Sequence, residues 1–211
     1  MRPIAAGCGD RLKPLVIELF CGKFGWGKGF VAEGWRCIGF DIVHEEWHRP
    51  VPPGCELVLQ DVMTLHGSQF RDADLIIASP PCTEYSLWGM RMFHPDPPIP
   101  DKQLWEAALR IAREAGKPLI IENVRGAQYW WGRASWKCGP YYLWGDIPAL
   151  FPYVKSKRKN VVDNVKNGDR RGLKVMAEFS STSKQRRALT AAAAEIPFEL
   201  ASHIARVYYP R

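Results

Sequence analysis

The sequence predicts an α/β fold: a mainly parallel, twisted sheet with helices on both faces. Three observations carry this. Short apolar runs that read as buried strands alternate with stretches of helical spacing. The first run passes through a glycine-rich turn straight into a helix. Residues able to do chemistry fall at the C-terminal ends of the runs, where open parallel sheets hold their ligands.

Residues 14–20 form the first strand. The turn Phe20-Cys21-Gly22-Lys23-Phe24-Gly25 then leads into a helix over 25–33, an arrangement that holds a nucleotide-like group. A second strand over 36–41 ends in Asp41, about twenty residues beyond the turn, where an acid can bind the two hydroxyls of a ribose. Ile42 follows it. Residues 43–54 are a proline-rich loop, and 56–60 make a third strand with Asp61 and Val62 at its end, placed to hold an adenine. The fourth strand, 74–79, delivers Ser79-Pro80-Pro81-Cys82. Residues 83–101 lack periodicity and read as a long loop, of the kind that closes over a site. Leu104, Ala107, Ala108 and Ile111 give helical spacing over 102–115, and 117–123 form the fifth strand, ending in Glu122 and Asn123. A thiol and a carboxyl at the ends of two adjacent strands can face each other across one pocket, and that pair suits attack on an electron-poor ring.

Beyond Tyr129 the composition changes. Nine of the twenty-five residues over 129–153 are aromatic, which core packing explains for the most part. Between Lys155 and Arg187, eleven Lys and Arg stand against Asp163, Asp169 and Glu178, so the stretch carries +8 and the rest of the chain, whose total is +7, is close to neutral. A solvated face is the bland explanation. Next to a nucleobase chemistry, a phosphate-contacting segment is the better one. A last helix is suggested over 197–205.

At 211 residues the chain is long enough for a real core. No apolar run approaches the ~20 residues of a membrane span, and the first residues lack a signal-peptide core, so a cytoplasmic setting is expected. The six cysteines lack CxxC spacing and read as free thiols, with Cys82 alone placed for chemistry and no zinc site supported.

The ordered set of glycine turn, Ser-Pro-Pro-Cys and Glu-Asn-Val resembles the DNA (cytosine-5) methyltransferase family, over roughly residues 14–145. The resemblance implies a Rossmann-like domain dependent on S-adenosylmethionine that methylates carbon 5 of cytosine in DNA, through a covalent cysteine intermediate and with the base flipped out. It makes Cys82 the nucleophile and Glu122 the acid that protonates ring nitrogen 3, with Asn123 beside it. The cofactor falls to Phe20, Cys21, Gly22, Lys23, Phe24, Gly25, Asp41, Ile42, Asp61, Val62 and Pro80. Nucleic acid falls to Ser86, Lys157, Arg170, Arg171 and Lys174. For the family's late target-base arginine the nearest counterpart is Arg158.

Departures from the family pattern are informative. Phe24 stands where a second glycine is usual, which places a side chain near the cofactor. Ala193-Ala194-Glu195-Ile196-Pro197 is a weak echo of a C-terminal family string. The target-recognition region is reduced to about 35 residues, as in a small phage-like member, so recognition is minimal or borrowed from a protein partner or oligomer. The expected division is a catalytic domain over 1–150, a basic segment over 151–190 that contacts nucleic acid, and a C-terminal helix over 191–211 packing back on the first. Other readings are an RNA cytosine-5 methyltransferase and a degenerate methyltransferase fold that only binds nucleic acid.

Overall fold

In a computed structural model of the chain, residues 13–42, 50–89, 95–147 and 195–210 are described. The strands are β1 (Leu15–Leu19), β2 (Arg36–Asp41), β3 (Cys55–Leu59), β4 (Leu75–Ala78), β5 (Leu119–Asn123), β6 (Trp136–Cys138) and β7 (Tyr141–Gly145). The helices are α1 (Gly25–Ala32), α2 (Thr83–Gly89), α3 (Gln103–Ala115), the short α4 (Gln128–Trp131) and α5 (Phe198–Val207). One sheet holds all seven strands in the order β3-β2-β1-β4-β5-β7-β6.

The first five strands are parallel, as their buried apolar runs require. The order reverses between β1 and β4, the point at which open parallel sheets hold ligands beyond their strands' C-terminal ends. β7 then runs antiparallel to β5, and β6 antiparallel to β7. The sequence reading did not anticipate this hairpin. Its residues alternate too briefly, and its aromatic content reads as well for core as for strand.

Each face of the sheet buries its own cluster. One joins Ile17, Ile76 and Ile121 to Ala108 and Ile111 of α3 and to the indole of Trp105. The other joins Val16, Leu75 and Ile77 to Phe30 of α1 and to Leu200 and Ile204 of α5. α1 and α5 touch so closely that a Cβ on Gly29 would lie 2.4 Å from the Ala201 Cβ. That contact needs glycine.

Residues 83–89 correct the sequence reading: the stretch taken as the start of a loop is helix α2. Its aperiodic look comes from a single buried anchor. Tyr85 packs against Trp105, its hydroxyl donates to the Asp101 carbonyl at 3.3 Å, and it accepts from Trp131 Nε1 at 3.1 Å. Trp131 stacks flat on Trp105 at 4.8 Å. Glu84 accepts from the Asp101 backbone at 2.7 Å, closing the far end of this excursion. No helix among the described residues is long and apolar enough to cross a membrane. No group of His, Cys, Asp and Glu suited to a metal ion occurs among them.

Candidate active site

The glycine turn is built on left-handed backbone. Phe20, Gly22 and Phe24 have φ of 59°, 47° and 56°. For Phe such a conformation costs roughly 1–2 kcal/mol, offset by full burial of the Phe24 ring and partial burial of Phe20. Phe24 corrects the sequence reading. Its ring does not lie in the turn where a ligand would sit but is fully buried against β2, where a Cβ on Gly39 would meet it at 2.3 Å. Cys21 is buried on the same side, and Phe20 packs toward the α3 face. What the turn leaves open is Gly22, whose missing Cβ would have no neighbour within 4 Å.

α1 begins at this turn without a capping side chain of its own. The cap comes from β1. Glu18, 2% exposed, accepts from the backbone N–H of Trp26 at 3.3 Å and of Gly27 at 2.9 Å. Any side chain at Gly27 would collide with that carboxyl and with the sulfurs of Cys37 and Cys55. Burial pushes the Glu18 pKa up to about 8. The sequence reading passed over Glu18, although an acid buried mid-strand just before a glycine turn was its signal.

Asp41 closes the turn from the end of β2. Its carboxylate accepts from the Gly22 N–H at 3.0 Å and from the Ile42 N–H at 2.8 Å. Ile42 beside it is 65% exposed, an apolar surface at the end of β2. Asp61 caps the short turn of helix that follows β3, accepting from the Met63 N–H at 2.9 Å. The Val62 side chain is buried in the core, so only its main chain is left to face a ligand. Open backbone at Gly22, the strand-end carboxylate of Asp41 and the exposed apolar side chain of Ile42 are residue types that fit an adenosyl group.

Cys82 and Glu122 face each other across β4 and β5. Asn123 Nδ2 donates to the Pro80 carbonyl at 2.9 Å and thereby ties the two motif turns together. The Ser86 hydroxyl donates to the Cys82 carbonyl at 2.9 Å, so it supports the nucleophile's turn rather than pointing outward to nucleic acid. Glu122 is 9% exposed, and burial raises its pKa to about 7, against the pull of a hydrogen bond from Ser79. Burial likewise raises the Cys82 thiol, and the nearby charge of ionised Glu122 raises it further. A neutral Glu122 therefore favours the thiolate. Ser79 also accepts from Trp26 Nε1 at 3.1 Å, and neither Ser79 nor Trp26 received a role in the sequence reading.

The weak C-terminal echo comes back to this site. A Cβ on Gly25 would lie 2.7 Å from the Ile196 nitrogen, and Lys28 of α1 pairs with Glu195. Ala194 lies outside the described residues, as do Lys157, Arg158, Arg170, Arg171, Lys174 and the rest of the basic segment.

On the other side of β5 lies a groove of about 1010 Å³. Arg125, Arg133 and Lys137 line it with Tyr142 and Gln128, and no carboxylate does. None of the three cations has an ion-pair partner among the described residues. Cross-strand register runs Asn123, Tyr142, Lys137, so the groove starts directly beside the Glu122-Asn123 turn.

The family described as C-5 cytosine-specific DNA methylase matches residues 15–129. The type II methyltransferase M.XorII of Xanthomonas oryzae is 29% identical over 126 residues, covering 54% of this chain and 29% of that protein. The type II methyltransferase M.HgiCII of Herpetosiphon aurantiacus is 31% identical over 119 residues, covering 52% of this chain and 25% of that protein. The match therefore spans less than a third of either relative. Among solved structures, the S. pombe Dnmt2 methyltransferase superposes with a TM-score of 0.39 at 22% identity, over 56% of this chain and 38% of that one.

Proposed function

This chain belongs to the C-5 cytosine-specific DNA methylase family, and on that premise we propose that it methylates carbon 5 of cytosine in DNA, using S-adenosylmethionine. The observation that carries the reading is the pairing of Cys82 with a buried, proton-holding Glu122 at the ends of β4 and β5. When bound, S-adenosylmethionine supplies a methyl group on a sulfonium. Asp41 would take the ribose hydroxyls, Ile42, Asp61 and Val62 would hold the adenine, and the turn from Phe20 to Gly25 together with Pro80 would hold the rest of the group.

Cys82, as thiolate, adds to carbon 6 of the ring while Glu122 gives its proton to nitrogen 3. The electron pair so placed on carbon 5 would take up the methyl group as its bond to the sulfonium breaks, with S-adenosylhomocysteine as the leaving group. The proton on nitrogen 3 then returns to Glu122, the proton on carbon 5 leaves to water, and the Cys82 thiolate is expelled as the ring regains aromaticity. Asn123 holds the Pro80-Pro81 turn at the distance this requires. A base within a duplex is out of reach of Cys82, so the cytosine must be flipped out. The Arg125, Arg133 and Lys137 groove supports docking of the flanking backbone, with Lys157, Arg158, Arg170, Arg171 and Lys174 adding contacts from the basic segment. In this assignment residues 1–150 carry catalysis, 151–190 contact nucleic acid, and 191–211 brace the cofactor turn. A protein partner or second copy supplies what sequence recognition the short chain lacks.

Duplex DNA containing 5-fluorocytosine tests the reading, because fluorine cannot leave carbon 5 and the adduct stays. With S-adenosylmethionine present, the wild-type protein should become covalently attached, and Cys82→Ser should neither attach nor turn over. Free turnover by the serine variant, or no adduct with the wild type, would overturn it.

A further inference from the structure

We infer that the groove beside β5 holds the nucleotide next to the target cytosine with its base unpaired, so that the DNA is opened over more than the flipped base alone. The inference rests on the reading of Cys82 and Glu122 as the place where that cytosine is held. The groove, of about 1010 Å³, joins three cations, Arg125, Arg133 and Lys137, to two aromatic side chains, Trp136 and Tyr142. No Asp or Glu lines it among the described residues, so nothing there repels a phosphate. Backbone phosphates account for the cations, and a paired strand would need no more than these. The rings ask for something else. In a duplex the base faces are covered by one another, and an aromatic side chain in a cationic groove stacks only on a base that has come free of its stack.

Sheet register brings the groove within one nucleotide of the candidate site. Tyr142 is the cross-strand partner of Asn123, and Lys137 is in turn the partner of Tyr142, so the three stand side by side on one face of the sheet. Opposed residues of antiparallel strands are about 5 Å apart. A base laid on Tyr142 thus belongs to the neighbour of a cytosine held at the Glu122-Asn123 turn, with Lys137 one strand further out for the phosphate. Core packing uses part of each ring. Tyr142 packs toward the α3 face and Trp136 toward the face of α1 and α5, yet both are only partly buried and both line the groove. The walls are braced without a ligand. Gln128 Nε2 donates to the Arg125 carbonyl at 3.4 Å, Gln128 Oε1 accepts from the Ala134 N–H at 3.2 Å, and Trp144 Nε1 donates to the Gly132 carbonyl at 3.1 Å. The turns that carry Arg125 and Arg133 are thereby tied to each other and to β7, and a groove built in advance spares the complex an ordering cost.

The test is equilibrium binding by fluorescence anisotropy, without S-adenosylmethionine, of labelled oligonucleotides of one sequence. The ligands are a paired DNA duplex, the same duplex with mismatched pairs flanking the cytosine, the single DNA strand and the single RNA strand. Wild type should bind the mismatched duplex and the single DNA strand more tightly than the paired duplex. Tyr142→Ala should weaken binding to both by roughly 5- to 100-fold, the worth of one base–aromatic stack, and so erase the preference, while Tyr142→Phe keeps it. In the Arg125→Gln/Arg133→Gln/Lys137→Gln variant the log-log salt slope on the single strand should fall by about 2, at about 0.7 for each phosphate contact. An abasic site placed in turn 5′ and 3′ of the cytosine removes the same stack from the ligand's side. At one of the two positions it should weaken wild type as much as Tyr142→Ala does, and weaken Tyr142→Ala no further, an arm that leaves the wild-type sheet untouched. Equal affinity for every DNA form, no loss at either abasic position, or an RNA strand bound more tightly than the DNA strand would overturn the proposal. Binding is read apart from turnover, so a protein that discriminates as expected yet makes no 5-methylcytosine would sink the enzyme reading and leave the groove standing.

Discussion

Glu18 and Glu122 make an instructive pair. Both are strand glutamates, both are nearly inaccessible, and both hold a proton more tightly than an ordinary carboxyl because burial disfavours the charge. They differ in how their oxygens are spent. Glu18 is surrounded by donors, two backbone N–H groups of α1 and the Cys37 thiol at 3.6 Å, so its lone pairs serve the fold. Glu122 receives one hydroxyl and looks toward Cys82. A buried acid with its partners already supplied is architecture, and one left short of partners at the C-terminal end of a strand is available for chemistry.

Exchanging each acid for its amide separates the two roles. Glu122→Gln should lower turnover by about 10²–10⁴-fold, the usual worth of a general acid, with little change in melting temperature. Glu18→Gln should do the reverse. Its amide keeps one acceptor oxygen and leaves a buried backbone N–H unpaired, for a loss of about 1–3 kcal/mol in denaturant melts. The same variant sharpens the comparison through pH. Because folding raises the Glu18 pKa to about 8 from 4.5, the folded state holds a proton that the unfolded chain has lost, and the stability this contributes falls as pH rises from 4.5 through 8. Melting temperatures measured across that window should decline less steeply in Glu18→Gln than in wild type. An identical slope would remove Glu18 from the account. Asp41 is a third strand-end acid, and each of its oxygens accepts a backbone N–H. Asp41→Ala should weaken S-adenosylmethionine binding by about 1–3 kcal/mol by calorimetry, and an unchanged affinity would move the cofactor elsewhere.

Much of the sheet could be read from the chain because its strands are buried on both faces and so appear as uninterrupted apolar runs; β2 spans the same six residues in sequence and structure. The Ser-Pro-Pro-Cys and Glu-Asn-Val strings were visible for the same reason, each following such a run. What escaped reading depends on contacts distant in sequence. α2 is secured by Tyr85 against Trp105 and Trp131, and nothing local announces that anchor. The β6–β7 hairpin is defined by pairing with β5. Phe24 looked like an intrusion on the ligand because its neighbour Gly39, which makes space for the ring, lies on another strand. Ser79 was quoted as part of a motif, yet its hydrogen-bond donor Trp26 lies fifty-three residues earlier.

The closeness of α1 and α5 bears on how the protein is made. Gly29 meets Ala201, Gly25 meets Ile196, and the Trp35 indole donates to the Ala205 carbonyl at 3.1 Å across 170 positions. Contacts of such separation form late, since loop closure must precede them. On a ribosome, β1 and the glycine turn emerge early but stay uncovered on one face until residues 196–205 have left the exit tunnel. The first strand made is thus among the last to be finished, and a nascent chain halted before residue 196 would carry every catalytic string and still lack a completed cofactor turn.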